Sequence, residues 1–335
     1  MPTPPVLHDV YLARARLAGV LPRTPLRPHP LLSEALGCNV FVKHENHLPT
    51  GAFKVRGGLN LVAAGKEAGE RRPIVTASTG NHGQSIAYAC RRFGVRCRVF
   101  VPRGNNPEKN AAMRAWGAEV IEHGRDFDEA REEVERVAAA GDVRYVHSAN
   151  EPLLVAGVAT CALEVFEELP EVDAVFVPIG GGSGAAGQVL VRDALGAPAR
   201  IVGVQAAGAD AFTRAWRSGR PVSADTMHTF AEGIATRVTF EMTFDMLSKR
   251  LDDVVLLSED QLAEGVRLAL RTTHNLAEGA GAASIAAARA YADRLAGRTI
   301  VCIMSGGNID RTTLATILAG RTPERSTSSP DTPAV

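Results

Sequence analysis

The sequence predicts an α/β fold of two open, twisted, mostly parallel sheets flanked by helices, and three observations carry that expectation. Short β-branched runs recur between longer segments rich in Ala, Leu, Arg and Glu, an alternation that builds βαβ units and parallel sheets. Several of these runs end directly in glycine-rich or polar loops that open a helix, which is where open α/β sheets place their ligands. The chain has 335 residues, 45% of them hydrophobic, more than one core usually needs, so two lobes are expected.

In chain order the expected strands are 74–76, 97–101, 119–121, 174–178, 201–205, 254–257 and 299–304. The first runs into a polar string, Thr76 to Gln84, and then a helix over 85–93. The fourth, Ala-Val-Phe-Val-Pro, runs into a glycine-rich turn and another helix. The last ends in Ser305, Gly306, Gly307 and Asn308, which alone is only a turn. No repeat or flexible linker is visible, and 145–151, with Ser148 and Asn150, is the softest crossing between lobes. From Arg321 onward Pro, Ser and Thr dominate and little is apolar, so residues 323–335 are expected to be a disordered tail.

Composition narrows the function classes. Lys plus Arg equals Asp plus Glu at 37 each, so no net field draws the chain to nucleic acid or an anionic membrane. Five scattered cysteines, Cys38, Cys90, Cys97, Cys161 and Cys302, have no zinc-type spacing and read as reduced thiols of a cytoplasmic protein. Neither a leader nor a membrane-spanning run is expected.

Three segments carry chemistry. In 174–187, AVFVPIGGGSGAAG, a strand enters a glycine turn and a helix, presenting backbone N–H groups to an anion such as phosphate. Gly182, Gly184 and Gly187 also satisfy the dinucleotide spacing G-x-G-x-x-G. That reading needs a carboxylate at the end of the next strand, where Gln205, Ala206 and Ala207 stand instead. A glycine turn serving only tight packing stays open.

Around Lys54 the chain reads HLPTGAFKVRGGLN. The apolar neighbours Ala52, Phe53 and Val55, with Gly57 and Gly58 behind, form an apolar and sterically open setting that lowers a lysine pKa and frees its amine for Schiff-base formation; a solvated lysine is the bland alternative. In the third segment, Ser78, Asn81, His82 and Gln84 with Gly80 and Gly83 make a dense set of donors at a helix N-terminus, suited to a substrate carboxylate. Ser78 or Thr79 as a plain N-cap accounts for one hydroxyl of that string. His44 and His47 invite a metal reading but sit as a structural pair beside a strand.

Together these segments resemble the fold-type II pyridoxal-phosphate enzymes (tryptophan synthase β-like), and within them the threonine/serine dehydratase and serine racemase branch, over roughly Thr24 to Asn308. The aromatic-Lys-x-Arg-Gly motif of that family is matched by Phe53-Lys54-Val55-Arg56-Gly57, which implies that Lys54 is the Schiff-base lysine. Ser78-Thr79-Gly80-Asn81-His82-Gly83-Gln84 matches its Ser-x-Gly-Asn-His-x-Gln loop. The resemblance implies that Asn81 lies beside the cofactor's ring hydroxyl, and that Ser78, Thr79, Gly80, Asn81, His82 and Gln84 bind substrate. Gly180, Gly181, Gly182, Ser183 and Gly184 correspond to the phosphate loop, Ser183 standing where glycine is common. Ser305 corresponds to the partner of the pyridine nitrogen, and Glu278 to a carboxylate near the site, with a helix-start charge as its alternative.

The resemblance also implies an organisation and an activity. Residues 1–72 and 151–322 would form the large cofactor-binding domain and 73–150 a small mobile domain that closes over substrate. The implied reaction is elimination of water and ammonia from L-threonine, L-serine or a related β-hydroxy-amino acid, giving a 2-oxo acid. Lys54 would act as base, Ser305 as a neutral partner of the ring, and the cofactor's phosphate as acid for the leaving hydroxyl. The implied partner is the small amino acid alone, the implied assembly a homodimer. Thr79 stands where the branch's racemases use serine, which disfavours racemisation. Gln205 and Ala211 stand where metal-dependent members place acidic ligands, so no metal is expected; nor is an isoleucine-sensing regulatory domain. The alternatives are a serine or hydroxyaspartate racemase/dehydratase, a β-replacement enzyme, and a catalytically weak cofactor-binding homologue.

Overall fold

A computed structural model describes residues 2–125 and 127–324. The first third of the chain forms α1 (Leu7–Leu17), β1 (Leu26–Pro28), α2 (Pro30–Leu36), β2 (Asn39–His44), α3 (Lys54–Glu67), β3 (Ile74–Ala77), α4 (Asn81–Phe93) and β4 (Cys97–Val101). The middle forms α5 (Pro107–Ala115), β5 (Glu119–Glu122), α6 (Phe127–Ala140), β6 (Arg144–Tyr145), α7 (Pro152–Glu168), β7 (Ala174–Pro178), α8 (Ser183–Leu195) and β8 (Arg200–Ala206). The last third adds α9 (Ala211–Ser218), α10 (Glu241–Leu247), β9 (Asp253–Leu257), α11 (Glu259–Thr273), α12 (Gly279–Ala290), β10 (Thr299–Met304) and α13 (Arg311–Leu318). No helix among the described residues is long and apolar enough to cross a membrane. The expected tail lies outside the described residues from 325 on.

Two sheets result, as expected. The larger runs β1-β2-β10-β7-β8-β9 and is parallel except for β1, which pairs antiparallel with β2. The smaller runs β5-β4-β3-β6 and is wholly parallel. Helices cover both faces of each, which is why their central strands read as continuous apolar runs. Along β7 successive side chains alternate: Phe176 joins Leu262, Ala286 and Met304 on one face, while Val175 and Val177 join Val155, Val189 and Phe244 on the other. In the smaller sheet Val99 packs with Val55, Leu59 and Ile86 while its neighbour Phe100 packs with Ala130 and Val134.

The sequence reading missed β1 and β6 and gave β2 no bounds, although it set His44 and His47 beside a strand. β2 ends in Lys43 and His44 and leads into Glu45, a charged run that hid the strand's extent. The fold buries those charges by pairing them, as buried charge requires. Arg56 bonds Glu45 and Glu164, each at 2.7 Å, and Lys43 Nζ lies 2.6 Å from Glu164. The helix expected at 85–93 begins at Asn81 instead. The Ser78 hydroxyl accepts from the N–H groups of Gly80 and Gly83 at 3.1 and 2.8 Å, supplying partners that a helix start otherwise lacks.

Candidate active site

The segment before α3 is stitched to the end of β10. Ala52 pairs antiparallel with Gly306, the Phe53 N–H donates to the Ser305 carbonyl at 2.9 Å, and the Gly307 N–H to the Gly51 carbonyl at 2.9 Å. Gly51 has φ +67°, and a Cβ there would meet Asn308 Oδ1 at 2.7 Å. Glycine is thus required by both conformation and space. Lys54 opens α3 directly after this stitch, so β10 fixes where its side chain starts.

The Lys54 ammonium lies over the Phe53 ring at 5.2 Å, and burial pulls its pKa down to about 8. It forms no ion pair among the described residues, whereas Lys43 and Arg56 nearby are fully paired. Gly57 and Gly58 do not open space at the amine, contrary to the sequence reading. A Cβ on Gly58 would strike Ser85 Oγ at 2.3 Å and one on Gly57 the Leu154 carbonyl at 2.8 Å. They let α3 press against α4 and α7, and Ser85 Oγ donates to the Lys54 carbonyl at 2.6 Å.

The glycine loop lies beside Phe53: a Cβ on Gly184 would sit 3.4 Å from its ring. Gly180 faces the Gly233 carbonyl, which a Cβ would approach to 2.5 Å, and Gly182 has φ +87°. Gly182 caps α8, whose first residues are Ser183 and Gly184, with no side chain capping it. Gly181 is anchored by the Thr243 hydroxyl, which donates to its carbonyl at 2.8 Å. A tight turn plus an uncapped start of a 13-residue helix forms a concave anion site. On the far side Ser305, 8% exposed, donates to the Ala280 carbonyl at 3.4 Å in the first turn of α12.

Asn81 is held between two partners: its Nδ2 donates to Glu278 at 2.6 Å and its Oδ1 accepts from Asn308 at 2.7 Å. Glu278 is buried, and burial raises its pKa against the opposing influence of Lys109 and Asn81. His82 turns inward: its Nε2 meets the Thr76 hydroxyl at 2.9 Å, which itself donates to the Val146 carbonyl. Burial, with Lys54 and His147 nearby, holds the imidazole well below its usual pKa, hence neutral. Ser78 is occupied in the α4 cap, the Thr79 carbonyl accepts from Asn105 at 3.3 Å, and Gln84 is buried.

The structure therefore brings Phe53, Lys54, Asn81, the 180–184 loop, Ser305 and Glu278 together, with the 78–84 string alongside. Sequence reasoning missed Asn308, Thr243, Lys109 and Glu232. Lys109 pairs with Glu232, and with Glu278, Asn308 and Asp310 they line a small cavity. One signal pointed at Lys109: a cation in the first turn of α5 stands against the helix dipole. Glu232 and Thr243 gave none, because they come from an irregular stretch and a short helix joined to the site only by folding.

This donor set fits pyridoxal phosphate: an unpaired amine of lowered pKa for the aldehyde, a nest that a Cβ would fill for the phosphate, and a buried hydroxyl for the ring nitrogen. The comparisons agree. Residues 18–306 match the family model described as pyridoxal-phosphate dependent enzyme. The L-threonine ammonia-lyase of Thermotoga maritima is 35% identical over 91% of this chain and 76% of its own length. The catabolic L-threonine dehydratase of Escherichia coli is 31% identical over 92% and 94%. The crystal structure of the threonine deaminase from T.th. superposes with a TM-score of 0.86 at 33% identity, covering 91% of this chain and 99% of that one. By its sequence and by its fold, this chain belongs to the family of pyridoxal-phosphate dependent enzymes.

Proposed function

We propose that the protein is an ammonia-lyase that eliminates water from L-threonine, L-serine or a related β-hydroxy-amino acid and releases a 2-oxo acid and ammonia. The observation that carries this reading is the Lys54 amine, desolvated to a pKa of about 8 and without an ion-pair partner among the described residues. The threonine ammonia-lyases and dehydratases among its relatives support it. When bound, pyridoxal phosphate supplies an electron sink for density leaving the substrate α-carbon.

The chain's own groups set the rest. Lys54 would hold the cofactor, and its amine, with a pKa of about 8, is suited to act as a base for the substrate α-proton. Ser305 would offer the ring nitrogen a neutral hydroxyl at the positive end of α12 rather than a carboxylate that would keep it protonated. That setting favours prompt departure of the β-hydroxyl over transfer of the amino group. The start of α4, with the Thr79 hydroxyl and the O–H of Ser78, receives the substrate carboxylate. Asn81 is oriented by Glu278 and Asn308, and the 180–184 loop grips the phosphate. His82, neutral and tied to Thr76, shapes the loop without charging it. Residues 73–150 close over the substrate as a mobile domain, and the protein works as a cytoplasmic homodimer without nucleic-acid or membrane partners.

The test is release of 2-oxo acid from L-threonine and L-serine by the protein purified with pyridoxal phosphate, compared with Lys54→Ala. Product from the wild type alone is expected. No product from either substrate, with the visible cofactor band still shifting on addition of amino acid, would remove the substrate assignment and leave the cofactor chemistry standing.

A further inference from the structure

Two ion pairs join the smaller-sheet lobe to one irregular stretch of the larger lobe: Lys109 on α5 with Glu232, and Asp128 on α6 with Arg237. The first differs from an ordinary surface pair, which contributes little. The Lys109 side chain is only 11% exposed. Its stem lies over Gly80, whose Cβ, were there one, would sit 3.2 Å from Lys109 Cδ. Asn106 caps α5 by accepting from the N–H groups of Glu108 and Lys109, and its neighbour Asn105 donates to the Thr79 carbonyl. Lys109 is therefore fixed to the 78–82 loop by backbone as well as by stem.

Its partner is equally placed. Glu232 opens the short turn Glu232–Ile234. The next residue, Gly233, faces Gly180 with its carbonyl, and a Cβ on it would meet Ala280 at 2.8 Å. The turn is wedged between the glycine loop and the start of α12. The ion pair thus spans from the loop at Gly80 to the backbone that backs Gly180, and both residues line the small cavity that Glu278 and Asn308 share.

We propose that Lys109 and Glu232 form a clamp that holds the 78–82 loop over the glycine loop, making both positioning residues for the reaction at Lys54. The Lys109 ammonium is largely buried and stands against the α5 dipole, while Glu232 keeps about a third of its side chain in water, a placement for the lysine that a solvating surface charge does not need. The clamp fixes the relation between substrate carboxylate and cofactor phosphate. Its loss should weaken substrate binding and misalign the α-carbon together. The inference rests on the ammonia-lyase reading only for its kinetic arm.

The experiment uses holoenzyme carrying Lys109→Met, which keeps the stem over Gly80 and removes the charge, Glu232→Gln, the double variant, and Lys109→Arg. Amide hydrogen exchange in α5 and in residues 232–234 is followed without substrate, and kcat and KM with L-threonine. The clamp predicts faster exchange at both segments in either single variant, and a fall in kcat/KM on the order of 10²-fold shared between KM and kcat. It further predicts a double variant no worse than the singles, as coupled residues require, and recovery in Lys109→Arg. Unchanged exchange, or losses that multiply in the double variant, would overturn it. Should the wild type turn over no hydroxy-amino acid, the exchange arm still decides the clamp, and only the substrate reading falls.

Discussion

The lowered pKa of Lys54 predicts a pH dependence of both cofactor capture and stability. An ordinary lysine titrates at 10.5 and this one at about 8. At pH 7 roughly one amine in eleven is neutral here against roughly one in three thousand, about a 300-fold difference in reactive nucleophile. Capture of pyridoxal phosphate by the apoprotein, read as growth of the visible cofactor band after rapid mixing, should rise about tenfold per pH unit below pH 8 and level off above it. The stability effect has a definite sign. Between pH 8 and 10.5 the unfolded chain binds the proton that the folded chain has lost, so folding stability rises with pH across that window, by about 3 kcal/mol in total. Below pH 8 the apoprotein carries the full cost of the buried ammonium. Lys54→Met removes it, so the apo variant should resist urea better than wild-type apoprotein at pH 7, and the two should converge above pH 10.5. A capture rate that climbs without a break to pH 10, or a Met variant less stable at pH 7, would refute the assignment of Lys54 as a desolvated amine.

Other substitutions test the frame around it. Arg56→Met strands Glu45 and Glu164 with only Lys43 to balance them, and breaking a buried pair in this way should cost roughly 3–5 kcal/mol in urea unfolding; a loss within error would mean that the cluster is hydrated. Gly180→Ala drives a Cβ to 2.5 Å from the Gly233 carbonyl. It should destabilise by roughly 1–3 kcal/mol and weaken cofactor affinity in an absorbance titration, and unaltered affinity would place the phosphate elsewhere. Gln205 directs its Oε1 to the N–H and hydroxyl of Thr213, each at 2.8 Å, and leaves Nε2 without an acceptor. Its amide then presents a donor where a cation needs an oxygen, so dialysis against a chelator should leave turnover unchanged.

What the sequence revealed and what it hid follows the range of the interactions. The strands at 174–178 and 299–304 were visible to the residue because a buried parallel strand reads as a near-continuous apolar run, and that at 97–101 was visible despite its half-buried Arg98. The glycine loop and the Lys54 motif were visible because a tight turn or a close approach demands a small residue at a fixed spacing. The extent of β2 was hidden because its charges are neutralised by Glu164 and Arg56, and Glu164 lies 121 residues beyond Lys43. Asn308 was in view but read as part of a turn, since its partners Asn81 and Thr50 lie 227 and 258 residues away. Gly57 and Gly58 were rightly noticed and wrongly explained: small residues show that something comes close, not what does.

Glu278 shows how the two kinds of information combine. A carboxylate just before α12 suits the positive end of that helix, so the helix-start reading explains why an acidic residue is tolerated at this position. It does not explain the side chain's direction, because Glu278 makes no cap to α12 and instead accepts from Asn81 on the other sheet's lobe. Gly306 leaves room for that direction: a Cβ there would crowd Glu278 Oε1 and force its carboxylate to shift. Burial raises the pKa of this carboxylate while Lys109 and Asn81 pull it back, so its charge depends on the groups that cross the cleft. Releasing Lys109 would leave burial less opposed, and the carboxyl would then tend to take up a proton and hold Asn81 less firmly. The geometry of the Asn81 loop is in this way tied to the Lys109 contact, through one buried acid that local sequence marks only as a charge at a helix start.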